Sequence, residues 1–191
     1  GIEAYITPRD KKLDWRPPSY QARDSNDGLI EPGSYHLILL AENETGWRNL
    51  MKLSSISFLD GHYRKPRIDH DTLAQHSAGL IMTSTDIGGE LAQAILTKGL
   101  DAGRQIAGHY MDIIGRDNYY FEIQDHSQGR PLDERFLEDH LDLSRREKTV
   151  NEAVLQLARE FKRPIVATND SHYLERKDAE AHDIRSEERR V

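Results

Sequence analysis

Pro164-Ile165-Val166-Ala167-Thr168-Asn169-Asp170-Ser171-His172 is the stretch whose reading decides the fold. A short apolar run behind a proline reads as a strand, and it passes directly into a polar turn carrying an Asp and a His. Immediately before it lies the clearest helix of the chain, over 145–162. There Val150, Ala153, Val154, Leu157, Ala158 and Phe161 recur at i, i+3, i+4, i+7, i+8 and i+11. Helix, strand, then a polar turn is the grammar of a βα unit whose chemistry sits at the carboxyl end of its strand.

The same grammar repeats towards the amino end. Tyr119-Tyr120-Phe121-Glu122-Ile123 is a strand ending at Gln124-Asp125-His126, and Gly79-Leu80-Ile81-Met82-Thr83 is a strand stopped by Ser84-Thr85-Asp86 and Gly88-Gly89. Helices are predicted over 90–97 and 102–114, the second with the stripe Ala102, Ile106, Tyr110 and Ile113. Tyr35-His36-Leu37-Ile38-Leu39-Leu40-Ala41 reads as a buried strand. It is followed by a helix from Gly46 with Trp47, Leu50, Met51, Ser54 and Phe58 on one face. Residues 65–69 are extended, 71–76 form a short helix, and Gly1–Thr7 alternate as a strand. Residues 8–33, rich in Pro, Asp, Arg, Ser and Gly, read as a long loop, and 127–147 as a loop or exposed helix. Strands alternating with helices predict parallel βα units, in an open sheet or a barrel.

Composition narrows the function. The chain has 191 residues, one ordinary domain, with 26 Lys+Arg against 33 Asp+Glu and a net charge of −7. That balance argues against a broad face for a polyphosphate backbone but leaves room for a local basic patch. Mean hydropathy is −0.75 and there is no long apolar run, so no membrane span is expected and the expected location is the cytoplasm. With no cysteine, disulfides, thiolate zinc sites and cysteine nucleophiles are excluded. No Walker loop, dinucleotide fingerprint, Gly-x-Ser-x-Gly elbow or zinc-finger spacing occurs.

The polar strand ends are the candidate site. In extended chain, Asp170 and His172 point the same way, so both can face one ion. Imidazole nitrogen with carboxylate oxygen suits zinc, manganese or iron. The alternative is a turn in which Asp170 caps the next segment and His172 is a surface residue. For His36, on an apolar strand, the residue-level reading is a hydrogen-bonded core histidine. Glu3 reads as a salt-bridge partner and Asp86 as the N-cap of the helix near 90. Lys65 and Arg67, with Arg64, read as a solvated edge or a phosphate contact. His62, His70, His76, His109, His140 and His182 read mostly as surface residues.

The order of these segments resembles the PHP (polymerase and histidinol phosphatase) domain of the bacterial DNA polymerase III alpha subunit, a C-family replicative polymerase. Carrying the resemblance are Gly1-Ile2-Glu3-Ala4-Tyr5, Tyr35 to Asn43, Lys65-Pro66-Arg67-Ile68-Asp69, Gly88-Gly89-Glu90, Glu122 to His126, Val166 to Leu174 and Asp178 to Asp183. It implies an α/β fold, a partial distorted (β/α)7 barrel lacking its first strands, with metals at the strand ends. The family's ligand pattern falls on Glu3, His36, Asp170 and His172, and on Asp86, where the family usually has Cys or His. The oxygen of Asp86 should move the preference from zinc towards manganese. The resemblance further implies that a His-x-His segment lies before Gly1 and a magnesium-dependent polymerase palm beyond Val191. It thus sets a PHP domain over 1–184. Arg185-Ser186-Glu187-Glu188-Arg189-Arg190-Val191 is read as a non-native tail, matching a translated sequencing adapter. Implied partners are DNA through the parent polymerase, a proofreading exonuclease and a sliding clamp. Three roles follow for the domain: a two- or three-metal phosphoesterase supporting 3′-end proofreading, a scaffold docking a separate exonuclease, or a free-standing phosphatase of the same superfamily.

Overall fold

A computed structural model describes residues 1–16, 34–127, 137–178 and 181–182. The expected heptad tail at 185–191, and most of the long loop read over 8–33, lie outside the described residues. The element order is β1 (Ile2–Ile6), β2 (Tyr35–Ala41), α1 (Glu44–Leu59), β3 (Arg67–Ile68), α2 (His70–Gln75), β4 (Leu80–Thr83), α3 (Glu90–Lys98), α4 (Leu100–Ile114), β5 (Tyr119–Gln124), α5 (Leu137–Phe161) and β6 (Ile165–Thr168). The α/β alternation is as expected. Much of the stretch read as a loop or exposed helix over 127–147 belongs to α5.

The strands form one six-stranded sheet in the order β3-β1-β2-β4-β5-β6, open among the described residues. It is mixed, which corrects the expectation of parallel units throughout. β1 is parallel to β3, and β4, β5 and β6 are mutually parallel, but β2 runs antiparallel to both β1 and β4. Parallel neighbours need a crossover, usually a helix. The sequence between β1 and β2 has no helical period, and β2 returns in the opposite sense.

Period-two alternation then sorts the sheet into two faces. Ile6, Leu37, Leu39, Leu80, Met82, Tyr119 and Phe121 are all but fully buried in the core. α1 packs over β2, β3 and β4, while α4 and α5 pack over β5. The alternate residues, among them Glu3, Ile38, Thr83 and Glu122, line a cleft on the other face.

Two helices turn differently from their apolar stripes. α1 buries Gly46, Asn49, Leu50, Leu53 and Ser57. Trp47 (54 % exposed), Met51 (47 %) and Phe58 (60 %), read as its inner face, point outward. The inner side carries small or polar residues because backbone comes close there. Asn43 Oδ1 accepts from Gly46 N–H at 3.1 Å, and Asn49 Nδ2 donates to Ala78 O at 2.8 Å. α4 likewise buries Gly103, Ala107, Tyr110, Met111 and Ile114, one residue on from the expected stripe. A Cβ on Gly103 would lie 2.6 Å from Ile95 Cγ1, so the small residues are where α3 fits against α4.

A Cβ at Gly46 would lie 1.8 Å from the Gly79 carbonyl oxygen, backbone that cannot yield cheaply. Gly46→Ala is expected to destabilise the fold by about 2 kcal/mol or more, despite alanine's better helix propensity. Urea unfolding followed by circular dichroism checks this; an unchanged midpoint would contradict the close packing of α1 on the strand β4 entry.

Candidate functional site

His36 is the second residue of β2. Because β2 is antiparallel to β4, its amino end lies with the carboxyl ends of β1 and β4, so a histidine at the start of one strand meets groups leaving the others. Its N–H donates to Gly88 O at 3.0 Å, and its ring meets Tyr5 edge to face at 5.4 Å. A Cβ at Gly88 would lie 2.8 Å from His36 Nδ1, so the glycine leaves room for the ring.

Asp86 occupies the loop after β4. Its Oδ1 accepts from Gly88 N–H at 2.8 Å and its Oδ2 lies 3.0 Å from His36 Nδ1. The N-cap of α3 is Gly89, so Asp86 is not the cap it was expected to be. It folds the loop onto itself and holds the imidazole with its second oxygen. Glu3 Oε1 is 3.6 Å from the same Nδ1, the ion-pair role read from the sequence.

The hydrogen bond from Asp86 raises the His36 imidazole above its ordinary value of 6.5, against the opposing effect of burial, and Glu3 adds to the rise. Burial would raise the Asp86 carboxyl, but the His36 hydrogen bond and charge outweigh it and hold it below the ordinary 3.8. The signs give a window. The His36 contribution to stability is full below 6.5 and is lost as pH rises through the raised folded value; that of Asp86 is full above 3.8 and is lost as pH falls through the lowered one. In chelator-treated protein, His36→Gln should therefore lower the melting temperature more at pH 5.5 than at pH 8.5. A pH-independent difference would contradict the charged pair.

The other expected site residues divide. Asp170 borders the same cleft of about 640 Å³ as Glu3 and Asp86. His172 Nδ1 donates to the Asp170 backbone oxygen at 2.7 Å and lies 3.8 Å from Asp170 Oδ1, while its ring packs at 5.1 Å from that of His182. That bond turns the Nδ1 side of the ring into its own turn. Glu3, His36 and Asp86 are brought together, Asp170 faces their cleft, and His172 flanks Asp170 without lining it. Asp125 accepts from Ser127 N–H at the surface, and His126 pairs with the buried Glu147 at 2.5 Å.

Imidazole nitrogen and carboxylate oxygen are donor types that divalent ions take. His36 Nδ1 lies 3.0 Å from Asp86 Oδ2 and 3.6 Å from Glu3 Oε1. Among the described residues, no group of three or more His, Asp or Glu side chains is placed to hold a metal ion.

Three sequence readings change. Arg67 is buried, donating to Gly61 O and Trp15 O and stacking on Tyr63, so it is a structural residue and not part of a solvated basic edge. His70 and His109 are not surface residues. His70 is buried between Glu90, Tyr110 and the half-buried His109, with its Nε2 3.0 Å from Glu90 Oε2. Glu122, in the cleft, was quoted in the sequence only as part of a motif. Its position two residues before the end of β5, on the same alternation as Tyr120 and Gln124, was the available signal.

A family model for the PHP domain matches residues 1–126. Over 184 residues, 96% of this chain, the sequence is 38% identical to DNA polymerase III subunit alpha of Treponema pallidum and 39% identical to that of Borreliella burgdorferi. The Thermus aquaticus subunit is 36% identical over the same share. The chain spans only 13%, 14% and 13% of the lengths of these three relatives. The family match begins at the strand bearing Glu3 and runs through His36, Asp86 and the end of β5, so the half of the cleft built around His36 lies wholly inside it: the chain belongs to the PHP domain family.

Proposed function

We propose that this chain is the PHP region of a bacterial replicative DNA polymerase alpha subunit, and that its cleft holds divalent metal ions and hydrolyses phosphate esters at a DNA 3′ end. The observation that carries the reading is the approach of Asp86 Oδ2 and Glu3 Oε1 to one imidazole nitrogen, at 3.0 and 3.6 Å. Glu3, His36, Asp86, Asp170 and His172 are the ligands in this account. Oxygen donors predominate, which favours manganese over zinc. The chemistry that divalent ions supply when bound is polarisation of a phosphoryl oxygen and activation of water.

The chain's own residues prepare the site. Asp86 and Glu3 orient the His36 ring, and Gly88 keeps its edge open. Lys65 Nζ, 4.4 Å over the Tyr5 ring, puts a positive charge beside His36, suited to a phosphate oxygen. DNA, a proofreading exonuclease and a sliding clamp are the partners this reading assigns to the whole protein, and its magnesium-dependent polymerase site would be elsewhere. No helix among the described residues is long and apolar enough to cross a membrane, in keeping with a cytoplasmic replisome.

A second reading, a scaffold that docks a separate exonuclease, is favoured by the occupied Nδ1 of His36 and by the lack, among the described residues, of any group of three His, Asp or Glu side chains placed to hold a metal ion. The intact protein, given manganese and a 3′-labelled single strand without nucleotides, separates the two. Release of the terminal nucleotide that stops with chelator and in Asp170→Ala supports hydrolysis. Metal binding without release favours the scaffold, and chelator-resistant release would overturn the metal site.

A further inference from the structure

Glu122 is a buried carboxylate whose oxygens meet only neutral donors among the contacts seen. The Thr83 hydroxyl, at the end of β4, donates to Oε2, and the Thr168 hydroxyl, at the end of β6, donates to Oε1. Gln124 Nε2 donates to Oε1 at 3.1 Å. The proton directions are consistent throughout. Thr83 Oγ1 accepts from Thr85 N–H at 3.3 Å and Thr168 Oγ1 from Gln124 Nε2 at 3.1 Å, which leaves each hydroxyl hydrogen for the carboxylate. The Glu122 backbone joins in, its N–H donating to Ser84 Oγ at 2.8 Å.

These bonds stand where the sheet gives out. The β4–β5 ladder pairs only Met82 with Tyr119 and Thr83 with Tyr120, so β4 has left the sheet by the level of Glu122. Asp86 follows Thr83 by three residues, and Asp170 follows Thr168 by two. One carboxylate thus fastens the roots of both acid-bearing turns.

We propose that Glu122 is a positioning residue that holds the 84–88 turn and the 169–172 turn in register across the cleft. Its consequence for metal binding rests on the metal-site reading above; the alignment of the turns does not. Glu122→Gln keeps the size but turns an amide N–H₂ towards a hydroxyl that must donate, so one root comes loose. Thr168→Val, nearly isosteric, frees the β6 root alone.

The test is peptide-resolved hydrogen exchange on the intact, chelator-treated protein, with free manganese titrated by electron paramagnetic resonance. In Glu122→Gln, exchange should accelerate about tenfold in one of the two turns, 84–88 or 169–172, while α1 is unchanged, and manganese affinity should fall about tenfold or more, as for other residues that orient ligands. Thr168→Val should accelerate 169–172 only, and it decides the matter if Glu122→Gln does not fold. Wild-type exchange in both turns of the variants would overturn the proposal. Accelerated exchange in a protein that binds no manganese even as wild type would uphold the positioning role and defeat the metal site instead.

Discussion

Truncating Phe121 to alanine is expected to lower the unfolding free energy by about 3–5 kcal/mol. Phe121 is fully buried on β5, the strand between β4 and edge strand β6. Its ring meets Tyr119 edge to face at 5.3 Å and Phe161 of α5 at 6.3 Å. The loss removes a large apolar surface and leaves a hole that rigid strand backbone on both sides cannot close. Urea titration of Phe121→Ala against Leu174→Ala checks it, because Leu174 is 99 % exposed and should cost little. Similar midpoints for the two variants would mean that α5 is not packed on the sheet as described.

Glu90→Ala should cost about as much, about 3–5 kcal/mol, for a different reason. Glu90 opens α3, where the helix dipole favours a carboxylate, yet it is buried. Arg9 N–H donates to Oε1 at 2.9 Å, the Tyr110 hydroxyl donates to Oε2 at 2.7 Å, and His70 Nε2 lies 3.0 Å from Oε2. Burial and the neighbouring carboxylate push the Tyr110 hydroxyl well up, so it stays a donor across the working pH range. Alanine strands the Arg9 N–H and the Tyr110 hydroxyl at once and leaves His70 Nε2, which makes no hydrogen bond, without a nearby carboxylate. Glu90→Gln retains an acceptor and should cost less than half as much. The two variants compared by thermal and urea unfolding test this. Equal losses would show that it is the charge, and not the hydrogen bonds, that stabilises the junction of α3 with the segment after β1.

Which parts of this molecule could be read in advance follows from what hydrophobic periodicity records. It marks where elements begin and end, and β2, β4, β5 and α3 lie close to where their patterns put them, while α5 ends where expected but begins eight residues earlier, at Leu137. It does not record how near a neighbouring backbone comes. The inner faces of α1 and α4 are therefore marked by Gly46, Asn49, Gly103 and Ala107, residues that carry little apolar signal. Strand direction is equally silent in a pattern of period two, so the antiparallel β2 was missed. That reversal brings His36 to the site from the amino end of its strand.

The site was legible to the same partial degree. Glu3, His36 and Asp86 meet because a short loop after β4 folds back on Gly88, and the Asp86 position was marked by its place beside a glycine pair. Asp170 reaches the cleft from the turn after β6, together with its neighbours Asn169 and Ser171. His172 does not line it, because the chain leaves extended geometry after Thr168 and the ring bonds its own turn. The burial of Glu90 and Glu122 was not legible, since a charged residue within an apolar pattern looks the same whether its partners are water or protein.

The central claim is that the cleft between Glu3, His36, Asp86 and Asp170 holds divalent metal. The most direct test is the metal content of the intact protein after dialysis against manganese, for wild type, Asp86→Ala, Asp170→Ala and the exposed control Asp112→Ala. The account predicts bound metal in wild type and in Asp112→Ala, with loss of at least one ion per chain in Asp86→Ala and Asp170→Ala. Equal metal content in all four proteins would contradict it.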